Sequence, residues 1–120
     1  AQRFAEESEA DCVAISVGNI HRLTQPVCEI DFGLLDQIAA QVDIPLVIHG
    51  TSGIREVDML KLKQSRVAKF NIGTCLRQAF GHGLRDLLNQ EPDKFDRLYF
   101  MQKVIPAVRQ EAIRNFEILA

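Results

Sequence analysis

Three short apolar runs, separated by helical patterns, constrain the possible folds of this chain more than any other feature. They are CVAISV at 12–17, IPLVIH at 44–49 and VAKFNI at 67–72, and polar or turn residues bound each of them. Short apolar runs rich in β-branched residues are typical of strands buried on both faces of a parallel sheet. Because helical patterns lie between the runs, the sequence predicts right-handed βαβ units.

The segments before and between the runs carry helical patterns. RFAEESEA at 3–10 reads as the end of a helix, and Asp31 can cap a second helix. The apolar positions expected on one face of that second helix are Leu34, Leu35, Ile38 and Val42. Residues 55–64 are predicted to form a third helix, whose inward side chains would be Val57, Leu60 and Met59.

Two more helices are predicted after the last apolar run. Thr74 can cap the first of them, and Gly81 and Gly83 should weaken it locally. Its apolar face would contain Leu76, Ala79, Phe80, Leu84 and Leu87. After a turn at NQEPD, the last helix should run from about Phe95 toward Leu119, with Pro106 kinking or splitting it. The predicted element order is therefore α-β-α-β-α-β-α-α.

Length, charge and cysteine content exclude several classes of protein. The 120 residues suit one segment, 1–120, and a net charge of −2 gives no indication of nucleic-acid binding. No apolar run approaches the roughly 20 residues of a membrane span. Three cysteines without CxxC spacing indicate reduced thiols, so we expect a cytoplasmic protein. Three parallel strands leave two open edges, so association with itself, as a homo-oligomer, or with a missing N-terminal portion is expected.

Polar residues and glycines follow all three predicted strands. Ligands of parallel α/β folds bind at the carboxyl ends of the strands, so these positions are the candidate site. They are Gly18, Asn19 and His21 after the first strand, His49, Gly50, Ser52 and Gly53 after the second, and Asn71, Gly73 and Thr74 after the third.

Two chemistries are open at these strand ends. His21 and His49 are candidate zinc ligands, although a hydrogen-bonded core histidine and an exposed loop histidine would give the same pattern. The GTSG and NIGT stretches are candidate phosphate cradles, with Ser52 and Thr74 as hydroxyl donors. On local pattern alone, plain strand-to-helix turns with N-caps explain these two stretches better.

Taken together, the three stretches resemble the C-terminal part of class II, zinc-dependent ketose-bisphosphate aldolases. The family's G-[TN]-x-H-G pattern is matched by residues 18–21, its L-H-G-x-S-G pattern by 48–53, and its K-x-N-[IV]-x-T pattern by 69–74. The resemblance implies an α/β fold that is a partial TIM (β/α)8 barrel. This chain would supply the last three parallel strands, in βα units 6–8, plus C-terminal helices.

The resemblance also implies a role for each matched position. His21 and His49 would be two of three zinc-binding histidines, and zinc would act as a Lewis acid on the ketone of dihydroxyacetone phosphate. The phosphate would be held by Gly50, Ser52 and Thr74, and Asn71 would hydrogen-bond the ketose. The parent enzyme would reversibly cleave fructose or tagatose 1,6-bisphosphate to dihydroxyacetone phosphate and glyceraldehyde 3-phosphate.

This chain departs from the family pattern in two ways. Arg22 stands where the family has a glycine that lets the backbone approach the phosphate and a bound monovalent cation. The third histidine and the acid/base aspartate lie on strands that this segment does not contain, so no catalytic residue is expected here and the isolated chain should be inactive. The alternatives are a non-catalytic phosphate-binding or assembly module, and a structural piece with no site.

Overall fold

A computed structural model describes residues 1–19 and 28–120, which form two compact units, Ala1–Gly73 and Thr74–Ala120. The first unit contains α1 (Gln2–Ser8), β1 (Val13–Ile15), α2 (Phe32–Gln41), β2 (Leu46–His49), α3 (Glu56–Lys63) and β3 (Val67–Asn71). The second contains α4 (Thr74–Gln90) and α5 (Arg97–Leu119). This order confirms the predicted alternation of helices and strands.

The three strands form a parallel sheet in the order β1-β2-β3. Val13 lies opposite Leu46 and Ile15 opposite Ile48, while His49 at the end of β2 lies opposite Asn71 in β3. The β2–β3 register is irregular between Leu46 and Val47. Neighbouring strands are consecutive in the chain and each pair is joined through a helix, as βαβ units require. In the part of the chain that the structure describes, no helix is long and apolar enough to cross a membrane.

Most of the core of the first unit lies on one side of the sheet, whereas Val47 of β2 is buried on the other side. Val13, Ile15 and Val17 are buried, while the intervening Ala14 and Ser16 are exposed. The buried positions pack with helix residues that include Leu35, Ile38 and Ala39 of α2, Leu62 of α3 and Ala5 of α1. The prediction that all three strands are buried on both faces is therefore wrong for β1, because these helices cover a single face.

Helix α2 confirms the predicted cap. The Asp31 carboxylate accepts a hydrogen bond of 2.8 Å from the backbone N–H of Leu34, which satisfies one of the unpaired donors of the first turn. Leu35 and Val42 are buried, as predicted, whereas the side chain of Leu34 is 38% exposed. Leu34 therefore lies at the edge of the predicted apolar face.

The predicted inward face of α3 is wrong for Val57 and Leu60 and is confirmed for Met59. Val57 is 57% exposed and Leu60 is 42% exposed, whereas Asp58, Met59 and Leu62 are buried. The buried set includes a charged side chain, which hydropathy places outside. Burial of Asp58 is possible because its carboxylate pairs with Arg55 one turn earlier in the chain.

Arg66, in the turn before β3, binds the carboxyl end of α2. Its guanidinium donates hydrogen bonds to the backbone oxygens of Ala39, Val42 (2.8 Å) and Asp43 (3.1 Å). The last carbonyls of a helix lack intrahelical partners and carry partial negative charge. A cation that bridges them therefore stabilises α2 and connects it to the strand that follows α3.

The second unit is a pair of helices joined by residues 91–96. The predicted apolar positions of α4 (Leu76, Ala79, Phe80, Leu84 and Leu87) are all partly buried. Gly83 lies where an added Cβ would be 3.6 Å from a methyl carbon of Val104 on α5. Helix α5 is continuous through Pro106, so the predicted split is wrong. The missing N–H of one proline removes a single intrahelical hydrogen bond, which does not end this helix of 23 residues.

Candidate metal and phosphate site at the strand ends

Gly18 begins the loop that follows β1, and its position admits no side chain. Its φ is +97°, and an added Cβ would lie 2.1 Å from the backbone oxygen of Glu29. The segment around Glu29 is held close by a 2.8 Å hydrogen bond from Asp31 N–H to Val17 O and by the Cys28 thiol, which donates to Gly18 O at 3.2 Å. The first glycine of the 18–21 motif is therefore required by the close approach of two backbone segments.

Asn19 is buried, with 5% of its surface exposed. Its side-chain oxygen accepts a 2.6 Å hydrogen bond from Val17 N–H, and its side-chain nitrogen donates to Ile15 O at 3.2 Å. The same nitrogen donates to the backbone oxygen of His49 on the neighbouring strand. Asn19 therefore closes the end of β1 on itself and joins it to the end of β2.

His49 is the last residue of β2, and its side chain is exposed at the carboxyl end of the sheet. Its backbone is fixed on two sides, by Asn19 toward β1 and by strand pairing with Asn71 toward β3. The other predicted zinc ligand, His21, and the nearby Arg22 lie outside the described residues.

The turn after His49 is built from glycines and two hydroxyl residues. Gly50 and Gly53 adopt φ values of +78° and +87°, which favour glycine. Thr51 is buried, and its hydroxyl donates to the backbone oxygen of Asn71 at 3.3 Å. Ser52 is partly exposed. The GTSG turn is thus fixed against the end of β3 through Thr51.

An ion pair follows this turn at the start of α3. The Arg55 guanidinium lies 2.7 Å from the buried carboxylate of Asp58. The hydrogen bond from Arg55 to this carboxylate raises the pKa of Arg55, so the guanidinium stays charged. The pair stabilises the first turn of α3, which follows the GTSG turn in the chain.

Thr74 is the first residue of α4 and is partly exposed. It belongs to the second compact unit, whereas the other described site residues belong to the first. Within the first unit, the structure brings together His49, the turn 50–53 and Asn71 at one edge of the sheet.

Comparison with known proteins decides the family. All 120 residues match the protein family described as Fructose-bisphosphate aldolase class-II. The chain belongs to this family.

A solved structure of an aldolase gives the fold context. The chain is similar to the YdjI aldolase from Escherichia coli K12, with 28% sequence identity and a TM-score of 0.81. The match covers 100% of this chain and 44% of the YdjI chain, so this chain spans less than half the length of that relative. The fold is thus the predicted one, an α/β fragment of a TIM-barrel aldolase with three parallel strands.

The donor set of this aldolase segment fits part of a metal site. A catalytic zinc ion takes three protein ligands and keeps one open position. Among residues 1–19 and 28–120, no group of three histidine, cysteine or acidic side chains could hold a metal ion. His49 has the chemistry and the strand-end position of a ligand, and His21 would be a second. Of the two histidines predicted as zinc ligands, His49 is thus the one that the structure places at a strand end.

Cys75, which follows β3, has no features of a nucleophile. Burial raises the pKa of the Cys75 thiol, and the charge of Glu111 raises it further. Nucleophilic cysteines require a lowered pKa. Cys75 is the second residue of α4, and its sulfur lies 3.8 Å from the side-chain nitrogen of Asn115.

The sequence placed Asn19 at the candidate site but did not predict its contacts, and it gave no indication of Thr51. Asn19 and Thr51 each bind the backbone of the next strand rather than a ligand. The sequence did place Asn19 at a strand end, but nothing in it specifies a contact with a residue 30 positions away. Thr51 occupies the variable position of the aldolase motif, so no pattern could have identified it.

Proposed function

We propose that this chain is the C-terminal part of a zinc-dependent aldolase that cleaves a ketose 1,6-bisphosphate reversibly. The substrate would be fructose or tagatose 1,6-bisphosphate, and the products would be dihydroxyacetone phosphate and glyceraldehyde 3-phosphate. One observation carries the proposal: His49, the GTSG turn and Asn71 lie together at the carboxyl ends of adjacent parallel strands. Active sites of (β/α)8 barrels lie at this end of the strands.

His21 and His49 are the proposed zinc ligands from this segment. When bound, zinc would supply Lewis acid chemistry that polarises the ketone of the substrate. The third ligand and the acid/base aspartate would come from the remainder of the protein. A monovalent cation near the phosphate is part of the same proposal.

The phosphate would be bound by the backbone at Gly50 and by the hydroxyl groups of Ser52 and Thr74. The positive φ of Gly50 and the absence of its side chain let an anion approach the backbone closely. Thr74 begins α4, and the first N–H groups of a helix lack intrahelical partners and can bind anions. Asn71 would hydrogen-bond the ketose portion of the substrate.

The partners and location belong to the same proposal. The open edge of β1 would be covered by the N-terminal barrel portion, or by a second copy in a homo-oligomer. A cytoplasmic location agrees with three cysteines that show no CxxC spacing.

The experiment is a coupled assay of ketose-bisphosphate cleavage with two proteins. The native polypeptide that contains this sequence should be active, should lose activity on chelation and should lose at least about 100-fold in the His49→Ala variant. The 120-residue chain alone should be inactive. Cleavage by the native protein that persists in His49→Ala and after chelation would contradict the proposal.

A non-catalytic phosphate-binding module is the second candidate. It is favoured by the GTSG turn, whose geometry depends on Thr51 and two glycines and not on a metal ligand. This candidate predicts that inorganic phosphate binds the chain equally well after chelation and in His49→Ala, and that the native polypeptide cleaves neither bisphosphate.

A further inference from the structure

Three polar or charged side chains are buried in the part of the chain that the structure describes, namely Asn19, Thr51 and Asp58. Burial of an amide is costly unless its groups are hydrogen-bonded. Asn19 meets this condition entirely with backbone groups, of Val17, Ile15 and His49. Two of these groups belong to its own strand end, and the third belongs to the strand end that carries the proposed zinc ligand.

The strand pairing explains why the contact with His49 matters. The β1–β2 ladder ends with Ile15 opposite Ile48, one residue before His49. On the β3 side, the ladder continues to His49 and Asn71. The side-chain nitrogen of Asn19 therefore binds His49 O just beyond the last paired residues of β1 and β2. This hydrogen bond extends the connection between β1 and β2 to His49, the proposed zinc ligand.

We infer that Asn19 is a positioning residue that fixes the backbone of His49 and thereby the place of this proposed zinc ligand at the strand end. This inference rests on the proposed function. Groups that orient metal ligands affect metal affinity because a ligand must be held in place before the metal binds.

The test measures Zn²⁺ affinity of the 120-residue chain by competition with a chromogenic chelator. Asn19→Asp keeps the oxygen that accepts from Val17 N–H but turns the donor that faces Ile15 O and His49 O into an acceptor. We expect this variant to bind Zn²⁺ about 10- to 100-fold more weakly. His49→Ala removes the ligand and should bind more weakly still.

Ser65→Ala is the matched control for a purely structural effect. Ser65 also joins backbone groups through its side chain, donating to Leu62 O at 2.6 Å and accepting from Val67 N–H at 3.2 Å. It lies before the first residue of β3, at the opposite end of the sheet from His49. The Ser65→Ala variant should have a lower free energy of unfolding than the wild-type chain. Its Zn²⁺ affinity should stay within about threefold of the wild-type value.

The two ways to fail are distinguishable. If the wild-type chain and His49→Ala bind Zn²⁺ equally, the zinc assignment of the proposed function fails and the inference fails with it. If His49→Ala loses affinity while a folded Asn19→Asp does not, the inference alone is overturned. Should Asn19→Asp not fold, nuclear magnetic resonance of the wild-type chain decides. The side-chain amide signals of Asn19 should move on Zn²⁺ addition while those of Gln2 stay fixed, and unmoved Asn19 signals would overturn the inference.

Discussion

Residues 1–73 pack helices on a parallel sheet and bury polar side chains at the strand ends, whereas residues 74–120 form two helices whose polar contacts lie nearer the surface. In the first unit Asn19, Thr51 and Asp58 are buried and hydrogen-bonded. In the second, Tyr99 bonds to Glu91 in a partly exposed position, and no residue of α4, all of which the structure describes, is buried. In the unit that contains most of the candidate site, buried polar side chains thus hold the backbone in place.

The largest effect should come from a glycine of the first unit. Gly18→Ala places a Cβ against the backbone oxygen of Glu29 at a positive φ, so the loop after β1 must move. We expect a loss of at least about 3 kcal/mol in the free energy of unfolding, measured by urea denaturation. A loss under about 1 kcal/mol would show that the two backbone segments do not approach each other as described.

The ion pair between half-exposed Arg55 and buried Asp58 should give the next largest effect. Arg55→Met leaves the Asp58 carboxylate buried without its partner, so the melting temperature should fall by several degrees. The double variant Arg55→Met with Asp58→Leu should recover most of the loss, because no charge is then buried. Failure of the double variant to recover would mean that the stabilisation comes from another contact of Arg55.

Glycines of the second unit should behave in the opposite way to Gly18. An added Cβ at Gly81 meets no atom within 4 Å, and at Gly83 it makes ordinary contact with Val104. Each alanine variant should therefore raise the free energy of unfolding by roughly 0.5–1 kcal/mol through helix propensity. Urea denaturation of these variants and of Gly18→Ala under the same conditions compares the two units directly. A lower free energy of unfolding in Gly83→Ala would indicate tighter packing of α4 on α5.

The smallest effect concerns the surface of the second unit. The hydrogen bond from the Tyr99 hydroxyl to the Glu91 carboxylate raises the pKa of Tyr99 above its ordinary value of 10.0. The resulting stabilisation is present below pH 10 and is lost as the pH rises through the raised pKa. Tyr99 is the single tyrosine, so its ultraviolet absorbance reports the titration directly. Glu91→Gln should lower the midpoint, and an unchanged midpoint would contradict this contact.

Local sequence signals predicted the elements but not the contacts between them. The three apolar runs, the Asp31 cap and the element order depend on neighbouring residues, and the structure confirms them. The inward face of α3 was wrong for Val57 and Leu60 because Asp58 is buried by pairing with Arg55, and hydropathy alone cannot foresee a paired charge.

Within the site, the sequence could predict residue types but not the side chains that hold them. The HG pair at 49–50 and the GTSG turn were visible as patterns. The contacts of Asn19 with His49 and of Thr51 with Asn71 join residues 30 and 20 positions apart, so they exist only after the sheet has formed. The contacts of Arg66 with the end of α2 could not be predicted for the same reason, because these residues are far apart in the sequence.

The proposed function requires metal and phosphate to bind this chain at the same strand ends. The direct test follows the backbone amide signals of the chain by nuclear magnetic resonance during addition of Zn²⁺ and then of inorganic phosphate. We expect Zn²⁺ first to move the signals of His49 and its neighbours, and phosphate then to move those of residues 50–53. Phosphate shifts confined to residues near Arg66, or to α5, would contradict this expectation.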